Sequence, residues 1–293
     1  MRYARCGGRR ASLHSQGNRM TVISMRATLA LALTFACATA CAEELPVKLF
    51  AQHAQYSDVA LSPDGTHLAI ATPVDNHTDL MIVDLSGKNE PSRLRSLPTE
   101  HVMDVFWAND DRLVFGKGKK FDYLEQPYWL GELYSTNRAM KEQKIMFGYQ
   151  PDEGNRPGRK KDRGRAYVID RIGAKKQDLL VQFQSWDENN KKTYIYTLDP
   201  VTVERNLVET LDLESASVAA DNNGVARFAS SVDDQYNPIL RYRPTATSEW
   251  LPVPASIAGH DMSVWMFAKD NNIAWAEISD KGEPDVLYKV DFA

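Results

Sequence analysis

Short runs in which apolar and polar residues alternate, separated by clusters of Asp, Asn and Gly, recur along the chain from Tyr56 onward. Hardly any segment carries a helical period, so the pattern predicts strands joined by tight turns. The first unit reads Val59-Ala-Leu-Ser-Pro-Asp-Gly-Thr-His-Leu-Ala-Ile-Ala and continues with Asp79-Leu-Met-Ile-Val-Asp-Leu-Ser-Gly. Between its first two strands, Pro63 presets φ and Gly65 supplies a positive φ for the turn. A second unit runs from Val102 to Phe115 around Asn109-Asp110-Asp111 and closes with Gly131-Glu-Leu-Tyr. The third pairs Asp178-Leu-Leu-Val-Gln-Phe-Gln with Thr193-Tyr-Ile-Tyr-Thr-Leu. The fourth runs from Ala216 to Ala229 and then Pro238 to Arg243, and the fifth from Val264 to Glu277 and then Asp285 to Asp291.

The turns recur at irregular intervals that mostly fall near the ~40–50 residues of a propeller blade. Four strands fit each interval, and such sheets bury their faces only by stacking on their neighbours around an axis. The expected fold is therefore all-β, a β-propeller with about five four-stranded blades. A β-sandwich with long loops is the competing reading, but sandwich strands follow one another without a longer repeat.

The region before this pattern is different. Residues 1–42 hold six arginines and no acidic residue, and an apolar run from Leu29 to Ala40 follows Met25-Arg26. That run suits the core of a secretory signal and is too short to span a bilayer. The sequence thus divides into an upstream extension with a signal peptide (1–42) and a propeller domain (43–293), with a cleavage site at Ala40-Cys41-Ala42 and a periplasmic or secreted destination. Met20 and Met25 are alternative starts. A second reading takes Ala38-Thr39-Ala40-Cys41 as a lipobox that anchors the chain through Cys41, although the usual large aliphatic residue three places earlier is missing. No transmembrane span is expected in the mature chain.

Without the leader the body holds 29 basic and 39 acidic residues. A surface that acidic is unsuited to phosphate neutralisation, so no nucleic-acid partner is expected. All three cysteines (Cys6, Cys37, Cys41) precede the body. It therefore has no disulfide and no thiolate for catalysis or metal binding, and must be stabilised by burial.

Candidate chemistry is sparse, and no catalytic, cofactor-binding or metal residue is assigned. His14, His53, His67, His77, His101 and His260 are scattered, without metal-ligand spacing. Asp110-Asp111, Asp187-Glu188 and Asp233-Asp234 fall in predicted turns, where Asp caps backbone amides. Arg156 to Arg165 holds six basic residues with Pro and Gly and no aromatic, and reads as a solvated loop between blades. Arg227, in a predicted strand after Gly224, is expected to pair with an Asp of a neighbouring blade. Glu132 in Gly-Glu-Leu-Tyr is given no role. A catalytic propeller of glycosidase type would need paired carboxylates near the axis.

The ordered combination of Leu49-Phe50-Ala51, Leu61-Ser-Pro-Asp-Gly-Thr-His-Leu-Ala-Ile, Val105-Phe-Trp-Ala-Asn-Asp-Asp-Arg-Leu-Val, Gly131-Glu-Leu-Tyr and Asp221-Asn-Asn-Gly-Val-Ala-Arg resembles the amino-terminal propeller of bacterial prolyl-oligopeptidase-family (S9) serine peptidases. The Ser-Pro-Asp-Gly turn alone is shared with TolB-like propellers. The resemblance implies a propeller, usually of seven blades, of which the five read here would be an incomplete set, that caps an α/β-hydrolase domain and admits short peptides to a Ser-Asp-His triad. This sequence contains no G-x-S-x-G elbow and no βαβ alternation, so the hydrolase half is not expected within it. The function expected is that of a substrate-gating propeller portion, with short peptides as partners when it is joined to a hydrolase domain. A stand-alone TolB-like module, binding a protein or ligand and using an open propeller seam, is the alternative.

Overall fold

The computed structural model describes residues 55–292 apart from 125, 150–161, 173–177, 188, 190 and 281–282. The leader reading, Cys41 and Leu49-Phe50-Ala51 lie outside the described residues, as do His14, His53 and Glu188.

Among the described residues, nineteen strands and a single turn of helix, α1 (Ala255–Ala258), make up the regular structure. Blade 1 comprises β1 (Asp58–Leu61), β2 (His67–Val74), β3 (His77–Asp84) and β4 (Ser92–Leu94). Blade 2 comprises β5 (Glu100–Trp107), β6 (Arg112–Lys119), β7 (Tyr128–Asn137) and β8 (Lys144–Phe147). A single parallel bridge, Thr78 to His101, ties these two sheets together. Blade 3 is β9 (Gly164–Ile172), β10 (Asp178–Ser185), β11 (Thr193–Leu198) and β12 (Arg205–Leu211). Blade 4 is β13 (Ser217–Ala220), β14 (Ala226–Val232), β15 (Pro238–Tyr242) and β16 (Leu251–Pro252). Blade 5 has three strands among the described residues, β17 (Asp261–Phe267), β18 (Ile273–Ser279) and β19 (Val286–Asp291). Every blade is an antiparallel meander.

One sequence expectation needs correction. Blade 3 starts earlier than its first apolar run, because the charged strand β9 precedes it, and Gly164 and Arg165 belong to that strand rather than to a loop. The alternation of β9 is masked by Arg165, Asp170 and Arg171, which its position in the blade leaves partly exposed.

One turn design opens three of the blades. In Ser62–Gly65, Asp221–Gly224 and Ala268–Asn271 the fourth residue donates its amide to the carbonyl of the first, at 2.9, 2.8 and 2.9 Å. That fourth residue is left-handed each time, at φ 70° for Gly65, 75° for Gly224 and 59° for Asn271. Gly and Asn enter that region at low steric cost, and so these residue types recur there.

The core is divided among the blade interfaces. Ala69, Leu80 and Ile82 of blade 1 meet Trp107, Leu113 and Phe115 of blade 2. Phe147 and Leu133 meet Leu179 and Val181 between blades 2 and 3, and Leu180 and Ile195 meet Val218 and Ala229 between blades 3 and 4. Phe228 meets Phe267, Ala276 and Phe292 between blades 4 and 5. Among the described residues no such cluster joins blade 5 to blade 1. The blades thus form a stack of nearest-neighbour interfaces, as expected for repeats that cannot bury both faces alone.

Candidate functional site: the groove along the inner strands

The first strands of blades 3, 4 and 5 run side by side and border a groove of about 850 Å³. Its lining combines Arg165, Tyr167 and Asp170 of β9 with Gln182 and Gln184 of β10, Ser217 of β13, Asn222, and Trp265 and Met266 of β17.

The most exposed part is made by a backbone irregularity. The pairing of β17 with β18 shifts register between Val264 and Met266, leaving Trp265 without a partner across the sheet. A bulge re-aims the extra side chain, and here it leaves the Trp265 indole 66% exposed in the groove, with its Nε1 donating to Glu277 at 3.2 Å. A similar shift in β5, between Met103 and Phe106, places Asp104 at φ 51°. The freed amide of Val105 then donates to Asp58 of blade 1 at 2.6 Å. Burial, and after it the Asp58 carboxylate, push the Asp104 carboxyl above its usual range.

Arg165 forms the cationic end. Its Nη2 donates to the Tyr128 hydroxyl, and its guanidinium lies 5.4 Å from the Tyr128 ring centre. Next to it, Trp129 meets Tyr167 edge-on with ring centres 4.3 Å apart. Burial raises the Tyr167 phenol, with Arg165 opposing that shift, so the ring is a neutral hydrogen-bonding group at physiological pH. The close approach of blades 2 and 3 here requires Gly131: its φ is 78°, and a β-carbon would stand 2.6 Å from Arg165 Cγ.

The amides have structural duties. Gln182 Nε2 donates to Ala216 O at 3.0 Å while its Oε1 accepts from Val218 N at 2.9 Å, so one side chain stands in for a missing strand partner between blades 3 and 4. Asn222 donates to Ala268 O and Asn271 Oδ1, joining the turns of blades 4 and 5.

Arg227 is buried beneath these turns and pairs with Asp221 of its own blade at 3.1 Å, not with an aspartate of the neighbouring one as expected. Its link to blade 5 is to the Asn271 carbonyl at 3.0 Å. The first-hairpin turn folds Asp221 back over β14, a local geometry that strand alternation does not reveal. Glu132 lies inside blade 2, accepting from the Tyr134 hydroxyl at 2.7 Å, away from the groove. Asp110, Asp111, Asp233 and Asp234 are in turns, where Asp233 accepts from the amides of Gln235 and Asn237. Among the described residues no group of three His, Cys, Asp or Glu could hold a metal ion.

The groove residues themselves were not singled out from the sequence. Trp265 carries the one readable trace, a large aromatic displaced from the alternation of its strand by the bulge.

Blades stacked in this way, with their first strands gathered along one groove, define a β-propeller. No protein-family model matches the sequence, and a search of curated proteins gives no match. Among solved structures, an oligogalacturonate lyase from Vibrio parahaemolyticus is similar with a TM-score of 0.53 at 12% identity, over 81% of this chain and 65% of that one. An acylaminoacyl peptidase in complex with Z-Gly-Gly-Phe-chloromethyl ketone gives 0.50 at 13% identity, over 82% of this chain and 38% of that one. The β-propeller domain of the Trilobed protease from Pyrococcus furiosus gives 0.49 at 14% identity, over 82% of this chain and 68% of that domain. The chain therefore spans about two thirds of the lyase and well under half of the acylaminoacyl peptidase. At these identities the likeness is one of fold, a β-propeller.

Among the described residues no helix is long and apolar enough to cross a membrane.

Proposed function

We propose that this chain is the substrate-gating propeller of an exported prolyl-oligopeptidase-type serine peptidase, and that the groove along β9, β13 and β17 receives short extended peptides. The observation that carries the reading is the lining: a guanidinium at Arg165 and a carboxylate at Asp170 on one strand, with amides, hydroxyls and an exposed indole alongside. Four strand residues lie between the two charges, roughly 15 Å of extended chain, which suits the two termini of a peptide of about five residues. The ordered turn motifs and the fold shared with an acylaminoacyl peptidase support the peptidase context, and the arginine-rich leader supports export.

Titration of the purified chain with tri- to hexapeptides, read by Trp265 fluorescence, tests the groove. We expect saturable quenching that Trp265→Phe abolishes and that Arg165→Ala weakens roughly tenfold, as loss of one charge-assisted contact does; no binding at millimolar peptide would overturn it. The reading frame beyond the codon for Ala293 tests the context. Continuation into a G-x-S-x-G elbow upholds the gate, whereas a stop codon favours the second reading, a stand-alone TolB-like binding module. That alternative is supported by the groove being built wholly from blades 3 to 5 of this chain.

A further inference from the structure

Blades 1 and 2 are tied by polar contacts at two levels. Toward the end of β5 the Val105 amide donates to Asp58 at 2.6 Å, and Trp107 Nε1 donates to the Ala60 carbonyl at 2.9 Å. Both acceptors belong to β1, and neither contact involves an imidazole. At the start of β5 the tie is the parallel bridge from His101 to Thr78, reinforced by a hydrogen bond of 2.9 Å between His101 Nδ1 and Thr78 Oγ1. Thr78 is itself held, since Ser96 Oγ donates to its carbonyl at 2.6 Å.

The other nitrogen of His101 has nothing to bond. Nε2 is buried and has no hydrogen-bond partner among the described residues. A neutral ring tolerates this, because Nδ1–H can donate to Thr78 while Nε2 stays a bare acceptor, whereas an imidazolium carries N–H on both nitrogens. A proton taken up in the closed joint would therefore create a buried charge together with a buried donor that lacks an acceptor, and both are costly unless they reach water.

The nearby carboxylates are engaged or exposed. Asp79 on β3 is already met by His77 Nε2 at 3.2 Å, by Arg93 Nε of β4 at 2.8 Å and by the Ser96 amide at 2.9 Å. Glu100, on β5 itself, pairs with Lys117 of β6 at 3.3 Å, and Asp75, in the turn between β2 and β3, is exposed. Lys119, also on β6, lies over the Phe121 ring at 5.9 Å. The charges that act on the His101 ring are positive, Lys120 beyond β6 and His77 on β3. Burial first, and then these two, hold its imidazole below the usual 6.5, opposed only by the Asn76 backbone.

We propose that His101 is an acid-operated latch between blades 1 and 2. Once protonated, the ring parts from Thr78 and turns Nε2 to water, and the sheets separate at the start of β3 and β5 while Asp58 and Ala60 hold them at the other end. The sign follows from linkage: the opened joint binds the proton more readily than the closed one, so closure is complete above pH 6.5 and weakens as pH falls below it.

The latch is tested on the full chain. The imidazole resonances of His101, followed by NMR from about pH 8 to about pH 5, should titrate below 6.5. A midpoint at or above that value would overturn the proposal, because the cation would then have found an acceptor; this measurement needs no variant and so decides even where a substitution prevents folding. Hydrogen-exchange protection factors, which remove the intrinsic effect of pH on exchange, should fall several-fold over the same range at residues 76–80 and 99–103 and stay level in β14 and β15 of blade 4. His101→Gln keeps a hydrogen-bonding side chain that takes up no proton in this range, and should flatten the profile at the joint. His67→Gln, at the far end of blade 1, should leave the profile as in the parent. Protection lost evenly over all blades, or lost at the joint in His101→Gln as well, would assign the acid response to other groups and overturn the latch.

Discussion

Aspartate does most of its work in this chain as a turn residue. Asp64 accepts from the Ser62 hydroxyl at 2.6 Å and from the amide and hydroxyl of Thr66 at 3.0 and 2.7 Å. Those bonds, the one from Ser62 first, hold its carboxyl down from 3.8 to about 2. A depressed native value means that the unfolded chain takes up the proton first, so the contribution is present above pH 3.8 and lost as pH falls through about 2. Asp64→Asn should flatten the melting temperature against pH between about 4 and 2, a change read by calorimetry at closely spaced pH values. An unaltered profile would assign the acid sensitivity of the fold to other carboxylates. The Asp221 and Arg227 side chains, each 4% exposed, are a different case: their bond secures a buried cation that would otherwise lack a counter-charge.

At the scale of elements, blades are joined by side chains that imitate backbone. Gln182 gives to and takes from β13 as a strand would, and Gln184 donates to the same Ala216 carbonyl at 3.0 Å. Replacing Gln182 by Leu keeps the volume but leaves the Val218 amide with no partner from that side chain. An orphaned buried group costs about 1–3 kcal/mol. The expected outcome is a loss of roughly that size in chemical denaturation, with faster hydrogen exchange at Val218 and slow exchange retained within β6 and β7. Uniform loss of protection across all blades would mean instead that the sheets unfold as one unit.

For the whole molecule, stability is a chain of interfaces, and its last link depends on Phe292. That ring meets Phe228, Tyr242 and Phe267 with centres 6.4, 5.6 and 5.3 Å apart, joining blade 5 to blade 4. Phe292→Ala should cost about 3–5 kcal/mol and separate unfolding of blade 5 from the rest. The check is a urea titration in which Trp265 and Trp275 fluorescence changes before the circular dichroism of the other sheets. Coincident transitions would show that coupling extends beyond nearest neighbours.

Several features were legible in the sequence because their causes are local. Alternation marks strands, since side chains take opposite faces of a pleat, and the Pro-Asp-Gly and Asn-Asn-Gly turns were readable because a left-handed position restricts which residues fit. The recurrence of these units was enough to indicate a propeller. Tertiary structure alone decided what those strands do to one another. The charged β9 became the inner strand of blade 3, Arg227 found its partner in the turn of its own blade, and a bulge in β17 turned Trp265 into the groove. Register, bulges and neighbouring blades depend on contacts between residues distant along the chain, and a local pattern carries no record of them.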